Sequence, residues 1–79
     1  MELTLHELAI SIVQALVDEP EQVSVEEVEE DTITRYVVSV SPADLGKLIG
    51  KQGRTANALR SIMRAAGMKF KRKVYVEVV

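Results

Sequence analysis

Cysteine is absent from these 79 residues, and histidine occurs once, as His6. No disulfide can staple such a chain, and no thiolate can serve as nucleophile or zinc ligand. Serine and threonine have no base within the chain other than His6, which falls in the first turn of an expected helix and fits a surface role. The carboxylates gather in the half of the chain that lacks glycine. No catalytic constellation emerges, so the expectation is a protein that is not an enzyme and uses no cofactor or metal. Long hydrophobic runs are missing as well, and none approaches the roughly 20 apolar residues needed to span a bilayer. The opening MELTLHELAI carries a glutamate where a targeting leader would carry lysine or arginine. A soluble, cytoplasmic chain with no membrane partner is expected.

What is present is enough for one domain over residues 1–79: 47% hydrophobic and 28% charged residues, too apolar and too mixed in sign for disorder. The net charge of −2 conceals a sharp segregation. Met1 to Gly46 holds eleven acidic residues against one basic, Arg35, whereas Lys47 to Val79 holds nine basic residues against one acidic, Glu77. Such a dipolar chain can draw an anion to its basic side despite its net sign, or simply carry two solvated faces that attract each other.

The order of elements is legible. Thr4-Leu5-His6-Glu7 has capping-box spacing, with Leu3 and Leu8 at the positions of a hydrophobic staple. Leu5, Leu8, Ala9, Ile12, Val13 and Leu16 recur at helical spacing, and Asp18-Glu19-Pro20 ends that helix. Gln22 to Glu29 predicts a strand in which Val28 falls out of phase with Val23 and Val25, the mark of a bulge or an early end. Ile33 to Ser41 predicts its antiparallel neighbour, with Tyr36, Val38 and Val40 on one face, after a loop at Glu30-Asp31-Thr32.

Ser41-Pro42-Ala43-Asp44 then opens a short helix, with Ser41 as N-cap and Asp44 near the positive end of the dipole. Leu45, Leu48 and Ile49 form its apolar side, and Gly50 stops it. A second helix begins at Gly53 or Arg54, turns Leu59, Ile62, Met63 and Ala66 inward, and ends with Gly67 just past its C-cap. Phe70 to Val79 alternates as a third strand, with Phe70, Val74, Val76 and Val78 facing the core. The αββααβ order predicts an α+β fold. Three helices pack on one face of a three-stranded mixed sheet whose second and third strands are parallel.

The link between the paired helices, Gly50-Lys51-Gln52-Gly53, concentrates unusual chemistry. Two glycines permit positive φ and leave no Cβ to hold another backbone away. Free amides at the start of the next helix, ringed by Lys47, Lys51 and Arg54, describe a phosphate seat. A mononucleotide loop does not fit, because Gly46 to Gly50 is one residue short and Gln52 stands where a hydroxyl would hold magnesium. The dinucleotide pattern fails too, since this loop joins two helices. A nucleic-acid backbone crossing the corner remains, beside the plainer reading of two glycines that only punctuate helices.

Ile49-Gly50-Lys51-Gln52-Gly53-Arg54 resembles the I-G-x-x-G-R/K signature of KH domains, whose GXXG loop clamps about four single-stranded nucleotides. The αββααβ order is that of the type II form. The stretch from Pro42 to Arg60, P-x-D-L-G-K-L-I-G-K-Q-G-R-T-A-x-A-L-R, is similar to small bacterial RNA-binding proteins made of one KH domain, and the likeness covers essentially the whole chain. The resemblance implies Gly50, Lys51, Gln52 and Gly53 as the clamp, and Lys47, Lys51 and Arg54 as phosphate contacts. Ile49, Ala56 and Asn57 would floor a groove for bases, and Arg60 and Arg64 would extend the positive track. Ala56 stands where many KH domains carry isoleucine or valine, and the hairpin loop that borders the groove in type II domains is short and acidic here, Glu29 to Asp31. Both imply weak, poorly sequence-specific binding. The resemblance further implies single-stranded RNA as partner, a larger Jag-like KH protein as a second partner, self-association, and an RNA-chaperone role in cell elongation, cell shape and peptidoglycan homeostasis.

Plainer readings stand beside these. Arg60 and Arg64 also suit a solvated helix face, and Lys69, Lys71, Arg72 and Lys73 suit the guarding of a strand edge. The helix-loop-helix surface, with Ile49, Ala58 and Ile62, could serve dimerisation instead of RNA.

Overall fold

Three helices lay their apolar stripes against one face of a short sheet. In the computed structural model, which describes residues 3–79, helix α1 spans Leu5–Leu16, strand β1 Ser24–Glu30 and strand β2 Ile33–Ser39. Helix α2 spans Leu45–Ile49, helix α3 Arg54–Lys69 and strand β3 Lys73–Val78. Single 3-10 turns at Pro20–Gln22, Pro42–Asp44 and Lys51–Gly53 fill the joints. Met1 and Glu2, the latter read above against a targeting leader, lie outside the described residues.

The capping box forms as spaced: the Glu7 amide donates to Thr4 Oγ1 and the Thr4 amide to the Glu7 carboxylate, each at 3.0 Å. These bonds hold the Glu7 carboxyl below its ordinary range. Ala9 and Val13 enter the core from α1, and Leu5, Leu8 and Ile12 pack around them. β2 is central, antiparallel to β1 and parallel to β3. Its inward residues Thr34, Tyr36 and Val38 lie beside Val74, Val76 and Val78 of β3. With Leu48 from α2 and Leu59 and Met63 from α3, they close one contiguous core. On the open face Arg35 bridges the two edge strands through Glu30 at 3.2 Å and Glu77 at 3.3 Å.

Several local expectations are corrected. The β1–β2 register is unbroken from Ser24 opposite Ser39 to Glu30 opposite Ile33, so no bulge forms. Val28 keeps the pleat and pairs with Arg35 on the open side. β1 starts two residues late because Pro20–Gln22 makes a turn. Gly67 does not end α3 but lies buried inside it, where a Cβ would meet Val74 Cγ2 and come within 3.0 Å of the Arg72 carbonyl oxygen. The helix ends four residues later than expected in a Schellman motif: Arg72 N donates to Gly67 O at 2.9 Å and Lys71 N to Met68 O at 3.0 Å. Lys71 takes the left-handed position that glycine usually fills, at φ 58°. Phe70 is therefore the helix cap, 50% exposed, and neither a strand residue nor a core one. Ile62 is 47% exposed, its place inside taken by Leu59 and Met63.

Arg72, read above as a solvated strand edge, is a structural fork. Its Nε donates to Thr34 Oγ1 at 2.9 Å, and its two terminal nitrogens donate to the carbonyls of Asp31 and Ile33, each at 3.1 Å.

Gly67→Ala is expected to destabilise the fold by about 1–3 kcal/mol, the usual cost of overpacking a filled site. Chemical denaturation should show a lower midpoint at unchanged slope, and an unchanged midpoint would contradict the α3–β3 packing described.

Candidate nucleic-acid interface

The corner between α2 and α3 is built from backbone conformations that few residues adopt. Gly50 caps α2 at φ 76° and ψ 173°, Gln52 sits at φ 59°, and Gly53 caps the start of α3 at φ 75°. The two glycines are needed for different reasons. A Cβ on Gly50 would strike Thr55 Oγ1 and lie 2.9 Å from the Thr55 amide nitrogen, so Gly50 is where helix and loop touch. A Cβ on Gly53 would meet only Asn57 Nδ2, at 3.7 Å. That side of the corner is open.

Internal bonds close the turn without consuming it. Gly50 N donates to Gly46 O at 2.8 Å, Gly53 N to Gly50 O at 3.2 Å, and Arg54 N to Lys51 O. Of the loop amides expected to be free, these three are thus engaged; those of Lys51 and Gln52 take part in none of these bonds. Both residues are exposed, and α3 begins without a side-chain cap or an acidic residue in its first turn. The positive end of the α3 dipole therefore faces the corner uncompensated.

A buried carboxylate holds α2 in place. Asp44, 1% exposed, accepts the amides of Asp18 at 3.2 Å and Glu19 at 3.0 Å. Ser41 Oγ donates to Glu19 at 2.6 Å and accepts from the Ala43 amide at 3.3 Å. Asp44 thus caps the turn after α1 across the fold instead of serving only the dipole of its own helix.

The residues singled out by sequence separate into groups. Lys51 and Arg54 are exposed, and their side chains make no ion pair or hydrogen bond among the described residues. Lys47 is exposed but paired with Asp18, an ion pair that raises its ammonium pKa. Ile49 is 40% exposed at the end of α2, while Ala56 is buried beneath the corner and offers no surface of its own. Asn57 is exposed one turn into α3 and Arg64 lies further along, solvated. Arg60 is half-buried and tied down: its Nε donates to Val76 O at 3.2 Å and its Nη1 to Asn57 Oδ1 at 3.0 Å. The acidic hairpin lies at the far end of α3, joined to the start of β3 by the Arg72 fork and by Lys73 N donating to Thr32 O. Thr55 carries no sequence signal as a site residue, yet it is what Gly50 packs against.

A family model described as KhpA/KhpB, KH domain, matches residues 6–78. The chain is 45% identical over 75 residues to the RNA-binding protein KhpA of Listeria monocytogenes, covering 95% of this chain and 99% of that relative. It is 47% identical over 73 residues to the protein of the same name from Clostridium perfringens, covering 92% and 97%. A crystal structure of Aquifex aeolicus Era matches 99% of this chain and 31% of its own at a TM-score of 0.61 and 23% identity, a likeness of fold alone.

The two glycines should respond unequally to substitution. Gly53→Ala is expected to cost about 1 kcal/mol for its left-handed backbone. Gly50→Ala is expected to cost about 2–4 kcal/mol, because the Thr55 clash adds to the strain of a backbone region that side chains scarcely adopt. Equal costs in urea denaturation would contradict the packing of Gly50 on Thr55.

Proposed function

Because this chain belongs to the KhpA/KhpB KH-domain family, a family of binding domains and not of enzymes, we propose that it binds single-stranded RNA and seats the strand's backbone on the Gly50–Gly53 corner. The observation that carries this reading is a juxtaposition. The amides of Lys51 and Gln52, which take part in none of the corner's internal bonds, lie in the same short turn as the open side of Gly53, the start of α3 and the two unpaired cations Lys51 and Arg54. A phosphodiester supplies the acceptors and the negative charge that this spot lacks. Exposed Ile49 and Asn57 would border the adjacent nucleotides.

The charge pattern argues for a modest, salt-sensitive affinity. Two free cations and two amides neutralise few phosphates, and Lys47 contributes only by exchanging Asp18 for the strand. The ion pair is exposed and weak, so that exchange costs little. Readout of bases is loose on this reading, since Ala56 is buried and leaves the groove floor shallow. A short-lived, sequence-tolerant contact suits an RNA chaperone or post-transcriptional regulator in the cytoplasm. Partnership with KhpB (Jag-like), and through it a role in cell elongation and peptidoglycan homeostasis, completes the proposal as the family resemblance implies it.

A second reading rests on a different observation. An apolar groove of about 330 Å³ lies between α1 and α3, lined by Ile12, Leu16, Thr55, Ala58, Leu59 and Ile62. Leu16 and Ile62 are both well exposed there, so this face would serve self-association or the partner KH protein. It adjoins the corner through Arg54 and Thr55 without covering Lys51 or Gln52, and the two readings are compatible.

Replacing Lys51 and Gln52 together by aspartate is expected to lower affinity for a single-stranded oligoribonucleotide at least tenfold while leaving the circular dichroism spectrum unchanged. Unaltered binding in that variant rejects the corner as the seat. Lys51→Ala with Arg54→Ala should flatten the slope of log K against log salt by about 1.4, at roughly 0.7 per phosphate contact on single strands. Sedimentation with and without RNA tests self-association in the second reading: a dimer independent of RNA that Ile62→Asp dissolves supports it, and a monomer at all concentrations excludes it.

A further inference from the structure

Arg60 was expected to extend the positive track along α3, but its hydrogen bonds assign it another task. α3 runs antiparallel to β3, as Gly67 meets Val74 and Arg60 meets Val76. β3 is an edge strand, paired with β2 alone among the described residues. Lys73 N donates to Thr32 O and Val79 N to Val38 O, so odd-numbered residues of β3 turn their peptide groups toward β2. In a parallel pair the alternate residues turn theirs outward, and Val76 O points to the free edge. Arg60 Nε donates to that carbonyl at 3.2 Å.

The same guanidinium fixes a neighbour. Arg60 Nη1 lies 3.0 Å from Asn57 Oδ1. Arginine has only donors, so the amide atom that meets it must be the oxygen, and the orientation of the Asn57 amide is decided by chemistry. The Asn57 NH2 group is then turned away from Arg60. It stands 3.7 Å from where a Cβ of Gly53 would be, beside the open part of the corner.

We propose that Arg60 is a positioning residue which, anchored on the Val76 carbonyl, locks the Asn57 amide so that only its donors face the space over Gly53, and that Asn57 there binds a hydrogen-bond acceptor of the RNA strand. This deepens the RNA-binding reading above and rests on it. The group recognised is an acceptor without a donor of its own, either a non-bridging phosphate oxygen or an acceptor on a base edge. Groups that present a donor at this position meet the NH2 unfavourably. Asn57 thereby adds selectivity to a corner whose other contacts are electrostatic.

Three substitutions in the full chain test it, with fluorescence anisotropy on labelled eight-nucleotide homopolymers of U, C, A and G. Asn57→Asp keeps an oxygen for Arg60 but removes the donors, and should weaken binding about tenfold or more, whereas Asn57→Ala should lose about five- to tenfold, the worth of one hydrogen bond. Arg60→Lys keeps the charge but cannot bridge Val76 and Asn57 with one planar fork. It should lose as much as Asn57→Ala, leave the salt slope unchanged, and add nothing when combined with Asn57→Ala. Wild-type affinity in Arg60→Lys, or losses that simply add, overturn the proposal and make Arg60 a plain cation on the strand. Wild-type affinity in Asn57→Asp overturns the donor assignment. Equal losses across the four homopolymers identify a phosphate oxygen as the acceptor, and losses confined to certain bases identify a base edge. The lock is also read without RNA: the side-chain NH2 resonances of Asn57 should shift in Arg60→Lys, and unmoved resonances defeat the lock. If wild-type protein binds none of the oligomers while those resonances do shift, the RNA reading fails and the lock stands.

Discussion

The contact of Gly50 with Thr55 is the constraint around which the functional end of the molecule is arranged. A five-residue helix cannot be stable in isolation, and α2 persists because Leu48 is buried and its two ends are fixed from outside. At one end Asp44 gathers the amides of Asp18 and Glu19, so the turn after α1 and the start of α2 move as one body. At the other end Gly50 lets the chain pass against Thr55 with no side chain between them. Those two joints fix the angle at which α3 leaves the corner. They also fix where Lys51 and Gln52 project.

Electrostatics follows from the same arrangement. Chain halves of opposite charge do not simply neutralise each other, because the acidic residues are largely on β1, on the hairpin and after α1. Among the described residues, only Lys47 with Asp18 and Arg35 with Glu30 pair one of the abundant acids of the first half with a base. The free cations sit on the corner and along α3, 16 residues of helix with no acidic side chain. A net charge of −2 is thus compatible with a positive ridge along α3 and the corner that precedes it. The acidic side chains of β1 have a structural use, since an unpaired edge strand studded with glutamate resists pairing with other chains.

Much of this was legible in the sequence because local rules and global fold agree. Capping box, alternating strands, proline stops and the Gly50 stop each lead to the element found. The failures share a cause: a residue whose role depends on a distant partner. Gly67 looks like a helix end, and only Val74 across the fold explains why a buried helical position lacks a side chain. Lys71 has no composition signal for a left-handed cap. Ile62 and Phe70 fit apolar periodicities but lie at the margins of a core too small to cover them. Arg60 and Arg72 look alike as basic surface residues, yet both use the planar fork to tie strands or helices together. Charge counting cannot separate such residues from Lys51 and Arg54, whose charges are free.

The central claim is that the corner, with its few unengaged amides, is where a strand binds. Titration of 15N-labelled protein with a single-stranded oligoribonucleotide, followed by amide resonances, tests it most directly. The largest shifts should fall on the Lys51 and Gln52 amides and on the first turn of α3, and should fade as salt rises. Shifts centred instead on the open sheet face around Arg35 and Tyr75, with the corner silent, would contradict the account.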